Sequence, residues 1–147
     1  MSRVAPVTIL LVEDDPADQK LVKMSLKSQE AVNDLYTVNN AEEALDFLHS
    51  RGQHSSQTTP PNLILLDLNM PGMGGKEFLK QIKADDNLKK IPVVIVTTSN
   101  SEKDIIDSYN LQAAGYVHKP ATLDEFKRIM SEIGDYWFLL CKLPHQE

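Results

Sequence analysis

Three continuous apolar runs rich in β-branched residues stand out along the chain, at Val7–Val12, Leu63–Leu66 and Pro92–Val96. Uninterrupted runs of this length are typical of strands that are buried on both faces of a parallel sheet. Two shorter candidate strands lie at Leu35–Val38 and Gly115–His118. The pattern therefore predicts five strands.

Segments with helical periodicity separate the predicted strands. Residues suited to begin a helix precede three of them: Asp15 before Pro16, Asn40 with Glu43 three positions later, and Ser101. The apolar positions that we assign to the five helices are Leu21, Val22, Met24 and Leu26; Ala41, Ala44, Leu45 and Leu48; Phe78, Leu79 and Ile82; Ile105, Ile106 and Tyr109; and Leu123, Phe126, Met130, Ile133 and Trp137. Strands and helices alternate five times, which predicts an open α/β sheet with right-handed crossovers.

The chain length indicates how many domains the protein has. Its 147 residues suit one compact domain, since domains most often have roughly 100–150 residues. We predict a single domain over 1–147, with a core over about 7–133 and an apolar C-terminal extension over 134–147, and we expect no attached output domain. The polar stretch Arg51–Asn62 predicts a long surface loop. Part of Tyr136–Cys141 should continue the fifth helix, and the rest should form an exposed apolar patch for dimerisation or a kinase contact.

Charge and composition exclude several classes of function. The chain has 15 Lys and Arg against 21 Asp and Glu, for a net charge of -6, which disfavours nonspecific attraction to nucleic acid or anionic lipid. No apolar run approaches the roughly 20 residues of a membrane span, and residues 1–6 do not resemble a signal peptide. We therefore expect a cytoplasmic protein. Cys141 is the single cysteine and the four histidines lack metal-ligand spacing, so these residue types predict neither an intramolecular disulfide nor a metal site.

Residues whose side chains could bind or react with a ligand follow the ends of four predicted strands. Glu13-Asp14-Asp15 follows the first strand, Asp67 the third, Thr97 the fourth and Lys119 the fifth. Each alone is compatible with an ordinary cap, turn or surface residue. The carboxyl ends of parallel strands, however, meet at one edge of the sheet, where ligands bind in this class of fold. The coincidence of all four at that edge predicts a functional site.

The acids at this edge would repel one another unless a cation lay among them. Mg²⁺ prefers oxygen ligands and typically binds one or two carboxylates together with phosphate oxygens. We assign Asp14, Asp67 and the backbone carbonyl of Asn69 as its protein ligands. Asp67 is also the candidate nucleophile, because an aspartyl carboxylate can attack phosphorus to give an acyl phosphate. Lys119 and the Thr97 hydroxyl would then stabilise the phosphoryl oxygens, and a cis bond between Lys119 and Pro120 would help to aim the lysine inward.

Four stretches together resemble the receiver domains of two-component response regulators: Ile9–Asp15, Leu65–Gly75, Val96–Thr97 and Gly115–Pro120. The resemblance extends from about Val7 to Ile133. It implies a flavodoxin-like (βα)5 doubly wound parallel sheet with strand order 2-1-3-4-5. It also implies a signalling switch, not an enzyme, whose only chemistry is its own phosphorylation and dephosphorylation.

The same resemblance implies roles for individual residues. Asp67 is the implied phosphoacceptor for a histidine kinase, with Thr97 and Lys119 contacting the phosphoryl group, and Glu13 is implied to join the Mg²⁺ site through a water molecule. Many members have Asp at the position of Glu13, so the longer acid could alter metal affinity. Tyr116 is implied to move inward when Thr97 engages phosphate, which would reshape the face formed by helix 4, strand 5 and helix 5.

The long loop before the third strand and the aromatic C-terminal segment resemble stand-alone receivers that are paired with bacterial and cyanobacterial phytochrome kinases. A phytochrome-type histidine kinase is therefore the expected partner, and a homodimer through the helix 4, strand 5 and helix 5 face and the extension is a further hypothesis.

Three other functions predict different residues. A scaffold without phosphotransfer would lack pocket residues, a phosphatase of the haloacid dehalogenase type needs Asp where Asn69 stands, and a flavin carrier needs a Ser/Thr/Gly-rich loop instead of Glu13-Asp14-Asp15.

Overall fold

The structure is a computed structural model that describes residues 7–27, 33–50 and 60–140. Most of the loop predicted over Arg51–Asn62 and the end of the apolar extension, residues 141–147, lie outside the described residues.

Five strands and five helices alternate along the described part of the chain, as the apolar pattern predicts. The strands are β1 (Val7–Val12), β2 (Asn33–Val38), β3 (Leu63–Leu66), β4 (Val93–Thr97) and β5 (Gly115–His118). The helices are α1 (Pro16–Lys27), α2 (Ala41–Leu48), α3 (Gly75–Ala84), α4 (Glu102–Asn110) and α5 (Leu123–Gly134). All strand pairs are parallel, in the order β2-β1-β3-β4-β5, which confirms the predicted flavodoxin-like fold class and strand order.

The central strands β1, β3 and β4 contribute alternate side chains to two apolar cores, one on each face of the sheet. One core packs the sheet against α2 and α3, and its strand residues are Leu10, Val12, Ile64, Leu66, Val93 and Ile95. The other packs it against α1 and α5, and its strand residues are Ile9, Leu11, Leu63, Leu65, Val94 and Val96. Burial on both faces explains why the sequences of these strands are continuous apolar runs.

The predicted helix caps are present. Asp15 Oδ1 accepts a hydrogen bond from the Ala17 amide at 2.9 Å, and Asn40 Oδ1 accepts one from the Glu43 amide at 2.7 Å. Ser101 Oγ accepts one from the Asp104 amide at 3.2 Å. These bonds satisfy amides that have no partner within the first turn of a helix.

Four apolar helix residues assigned from periodicity do not face the core. Met24, Ile106, Tyr109 and Leu123 are each about half exposed. The assignment of buried residues from periodicity is least accurate for α4, whose one fully buried side chain is Ser108. This helix packs on β5, at the edge of the sheet, and on α3. A helix at a sheet edge buries a narrower face than one that crosses the central strands, and its apolar residues are therefore left in solvent.

The C-terminal extension begins as a π-helical segment, Asp135–Leu140, which continues directly from α5. Trp137 packs against the core between the sheet, α1 and α5, whereas Tyr136 is 52% exposed. The prediction that part of this segment continues the fifth helix into the core is thus confirmed.

Within the described parts of the chain, no helix combines the length and apolar character needed to cross a membrane.

Gly75, the first residue of α3, allows the helix to pack closely against the loop that leaves β3. A Cβ atom at this position would lie 2.7 Å from both the Asp67 carbonyl oxygen and the Leu68 Cα. Both are backbone atoms, so a side chain could fit only if the loop that carries Asp67 moved. The local packing of α3 therefore fixes the path of this loop.

We expect Gly75→Ala to lower the free energy of unfolding by about 1–3 kcal/mol, the usual cost of overpacking. Gly115→Ala is the control, because its Cβ would make an ordinary contact with Val94 at 3.8 Å. Urea denaturation of both variants measures the difference. Equal stability of the two variants would contradict this account of Gly75.

Candidate functional site

The carboxyl edge of the sheet brings together the four predicted strand-end residues. Glu13, Asp67, Thr97 and Lys119 are all buried, although polar and charged side chains are usually exposed. The sheet hydrogen bonds continue past the apolar runs to hold them: the Asp67 amide donates to the Val12 carbonyl at 3.1 Å, and the Lys119 amide donates to the Thr97 carbonyl at 2.7 Å. The position of each residue is thus set by the sheet.

Three carboxylates form an acidic cluster at this edge. Glu13, Asp14 and Asp67 each place one carboxylate oxygen within 4.8 Å of the others, with Glu13 and Asp67 buried and Asp14 exposed. Oxygen donors at this spacing suit a hard divalent cation, which would also relieve their mutual repulsion. Asn69 lies beside the cluster, and its backbone amide donates a hydrogen bond to Asp67 Oδ1 at 3.3 Å. The site residues therefore fit the predicted metal, and the roles of individual ligands stay predictions.

Lys119 is the positive charge of the site. Its Nζ lies 2.5 Å from Glu13 Oε1, 2.8 Å from Asp18 Oδ2 and 3.6 Å from Asp67 Oδ2. The bond between Lys119 and Pro120, which in its cis form would help to aim the lysine, is not cis, since the described residues contain no cis peptide. The lysine reaches the acids without it, because the extended backbone of β5 continues to residue 119 through the bond to Thr97.

Burial and charge shift the pKa values of this ion pair. Burial raises the pKa of Glu13 to about 7, although the hydrogen bond and charge of Lys119 act to lower it. Burial acts to lower the pKa of Lys119, but its hydrogen bonds to Asp18 and Glu13 outweigh burial and raise it. One ammonium lies among the carboxylates of Glu13, Asp18 and Asp67, with Asp14 beside them, so acids outnumber cations at the site and it has capacity for a further cation.

Asp18 is a residue of this site that was not predicted from sequence. It lies in the first turn of α1, where an acid is expected simply because it stabilises a helix N-terminus. The available signal was that Asp18 follows the strand-end acids Glu13 and Asp14 by only a few residues, at the start of the next helix. That signal is weak without knowledge of where Lys119 lies.

Thr97 is joined to its neighbours by hydrogen bonds to its hydroxyl oxygen. That oxygen accepts from Asn69 Nδ2 at 3.3 Å and from the Ser99 amide at 3.3 Å. The Tyr116 hydroxyl in turn donates to the Ser99 carbonyl at 2.9 Å, and its ring lies partly buried against the core under α2 and α3. Ser99 therefore connects the two residues predicted to form the switch.

The same loop is connected to α4 and α3. Ser99 Oγ donates to Asp104 Oδ2 at 2.5 Å, and Lys76 Nζ of α3 lies 2.5 Å from Asp104 and 2.9 Å from Asp107. The Lys76 ammonium and the Ser99 hydroxyl hold the pKa of Asp104 below its usual value. Polar contacts thus continue from the site to α4.

These features define an α/β protein with a doubly wound sheet and an acidic, lysine-containing site at the carboxyl edge of its strands. The sequence profile of the response regulator receiver domain matches residues 9–131. The chain therefore belongs to the response regulator receiver family, and it is a two-component signalling protein.

Individual relatives agree with this assignment. The chain is 40% identical to the response regulator Rcp1 of Synechocystis sp. over 139 residues, which cover 95% of this chain and 94% of the relative. A crystal structure of the Mn²⁺-bound form of Rcp1 superposes with a TM-score of 0.90, covering 95% of this chain and 99% of that chain.

Two further solved structures are similar over nearly the whole chain. The phosphorylated cyanobacterial phytochrome response regulator RcpA has a TM-score of 0.91 and 38% identity, covering 95% of this chain and 99% of that chain. The bacteriophytochrome response regulator AtBRR has a TM-score of 0.73 and 34% identity, covering 94% and 99% of the two chains.

We expect Lys76→Met to raise the pKa of Asp104 toward its ordinary value, because the substitution removes the largest cause of its depression. A depressed carboxyl pKa contributes stability that is present above the unfolded pKa and is lost as the pH falls through the folded value. The variant should therefore lose less stability than the wild type on acidification. Carboxyl NMR titration measures the pKa directly, and an unchanged Asp104 titration would contradict the prediction.

Proposed function

We propose that the protein accepts a phosphoryl group on Asp67 from a histidine kinase, with Mg²⁺ bound beside it. The observation that carries the proposal is the environment of Asp67, which is buried at the end of β3 between the Glu13 and Asp14 carboxylates and the Lys119 ammonium. An isolated buried carboxylate would be costly. Here its neighbours provide metal ligands on one side and a cation on the other.

In the proposed transfer, an Asp67 carboxylate oxygen forms a bond to phosphorus while the bond between phosphorus and the kinase histidine nitrogen breaks. Catalysis of such a step depends on positioning and on stabilising the charge of the transferred group. Lys119 and the Thr97 hydroxyl would donate to phosphoryl oxygens. Mg²⁺, when bound, would neutralise charge on the phosphoryl group and on the acids.

The proposed Mg²⁺ ligands are Asp14, Asp67 and the backbone carbonyl of Asn69, with Glu13 bound through a water molecule. Support comes from the oxygen donor set and from the excess of acids over cations at the site. The Mn²⁺-bound form of Rcp1 supports a divalent cation in a related receiver.

Phosphorylation would alter the surrounding structure through Thr97. If the Thr97 side chain rotates to bring its hydroxyl to a phosphoryl group, its oxygen would move away from the Asn69 and Ser99 donors that it now accepts from. Because Ser99 also bonds to Tyr116 and Asp104, this motion would reach β5 and α4 together. We propose that the face formed by α4, β5 and α5 reports phosphorylation in this way.

The proposed partner is a phytochrome-type histidine kinase. RcpA and AtBRR support this choice, because both are phytochrome response regulators and both match nearly the whole chain. We further propose a cytoplasmic location and no binding to nucleic acid or membrane, in line with the net charge of -6. The chemistry of the protein would be limited to its own phosphorylation and dephosphorylation.

Incubation with a small acyl phosphate and Mg²⁺ tests the proposed phosphoacceptor. We expect the intact protein to gain one phosphoryl mass and Asp67→Asn to gain none, because the amide is not a nucleophile of comparable strength. Asp86→Asn removes a carboxylate that is 92% exposed and serves as the control. Mass spectrometry reads all three, and a phosphorylated Asp67→Asn variant or an unmodified wild type would refute the assignment.

We also propose a homodimer through the α4, β5 and α5 face together with the C-terminal extension. Ile106 and Tyr109 of α4, Leu123 of α5 and Tyr136 of the extension are each about half exposed, and such exposure on neighbouring elements favours association. An open groove of about 470 Å³ between β5, α5 and the extension lies beside Tyr136.

Sedimentation velocity of Ile106→Ser and of a chain truncated after Asp135 tests this dimer. We expect both changes to raise the dimer dissociation constant, because each removes apolar surface from the proposed interface. Met24→Ser is the control, since Met24 is equally exposed but lies on α1. Unchanged association in both variants would contradict the proposal.

A further inference from the structure

We propose that Asp18 is a positioning residue that holds the Lys119 ammonium away from Asp67 and so sets how readily the lysine moves onto a phosphoryl group. The inference rests on the proposed function, because it concerns the step in which Lys119 engages the group on Asp67. The geometry that carries it is the arrangement of three carboxylates around one ammonium: those of Glu13 and Asp67, which directly follow β1 and β3, and that of Asp18 in the first turn of α1.

The ammonium lies closer to two of these carboxylates than to the third. Its Nζ is 2.5 Å from Glu13 and 2.8 Å from Asp18, but 3.6 Å from Asp67. Hydrogen bonds of this kind have lengths of about 2.7–3.2 Å. Lys119 is thus hydrogen-bonded to Glu13 and Asp18, and only its charge reaches Asp67.

Asp18 is suited to hold the lysine reversibly. Its side chain is 22% exposed, whereas Glu13 is almost completely buried, so water can solvate Asp18 when the lysine leaves. Leaving Glu13 would instead strand a buried carboxylate, which is the costlier change. When Lys119 moves toward a phosphoryl oxygen, the bond to Asp18 is therefore the one expected to break.

Loss of the Asp18 charge should have two effects of opposite sign. In the protein without metal, Lys119 would move toward Asp67, which would weaken Mg²⁺ binding because the lysine then competes for a ligand oxygen. At saturating Mg²⁺, the same freed lysine would stabilise a phosphoryl group on Asp67 more strongly, because Asp18 no longer competes for its protons.

The alternative role of Asp18 is that of an ordinary acid in the first turn of α1, where it would stabilise the helix N-terminus. That role predicts lower helix stability and a looser site. Both Mg²⁺ and a phosphoryl analogue would then bind equally well or more weakly. A change of opposite sign for the two ligands cannot arise from a general loosening.

The test compares wild type, Asp18→Asn and Asp124→Asn. Asp124→Asn is the matched control, because it removes the same group from the first turn of α5, where the aspartate is exposed. Backbone NMR titrations measure the affinity for Mg²⁺ alone and, at saturating Mg²⁺, the affinity for beryllofluoride, which mimics a phosphoryl group. A crystal structure of metal-free Asp18→Asn measures the distance from Lys119 Nζ to Asp67.

For Asp18→Asn we expect about threefold to tenfold weaker Mg²⁺ binding and about threefold to tenfold tighter beryllofluoride binding, a range set by a partly exposed charge pair. The distance from Nζ to Asp67 should shorten to that of a hydrogen bond. Asp18→Ser, which keeps a residue suited to a helix N-terminus, should show the same two changes if Asp18→Asn folds poorly.

Failure of the inference can be told apart from failure of the proposed function. If wild type and Asp124→Asn bind no beryllofluoride, the proposed phosphoacceptor site is wrong and the inference fails with it. If wild type binds it and the Asp18 variants match wild type, or bind both ligands more weakly, the proposed function stands and the role of Asp18 is overturned.

Discussion

The ion pair between Lys119 and Glu13 is the contact on which the arrangement of the site depends. It joins the end of β5 to the end of β1, across the two strands that lie between them in the sheet, and both side chains are almost completely buried. A buried ion pair of this kind adds little net stability, but removing either partner leaves an uncompensated charge. Its value here is geometric, because it draws Lys119 over β3 and β4 and places the ammonium beside Asp67. The carboxylates of Glu13, Asp14, Asp18 and Asp67 outnumber this one ammonium, which is the condition that favours a bound cation.

The fold and most of the site could be predicted from sequence because both follow from strand ends. Continuous apolar runs identify buried strands, and parallel strands necessarily place Glu13, Asp67, Thr97 and Lys119 at one edge. Local rules also sufficed for the caps at Asp15, Asn40 and Ser101. The family resemblance added the strand order, which periodicity alone does not determine.

What sequence could not provide were properties that depend on distance between elements. The role of Asp18 depends on where α1 lies relative to β5, and an acid in a helical first turn has an ordinary explanation that conceals it. Periodicity also assigned Met24, Ile106, Tyr109 and Leu123 to the apolar faces of their helices, although each is about half exposed. Periodicity does not indicate how wide a face each helix buries, because that width depends on the position of the helix over the sheet.

The exposed apolar residues of α4 follow from the way this helix is attached. The central helices α3 and α5 each bury several large apolar side chains, whereas α4 buries Ser108 and is tied to its surroundings by the bonds among Lys76, Ser99 and Asp104. Apolar cores resist displacement because moving one residue opens a cavity. Hydrogen bonds and partly exposed ion pairs can exchange partners with water at much lower cost. The element beside the proposed switch residues is therefore the one whose attachment can be altered without disturbing either core, and this property suits α4 to report the state of the site.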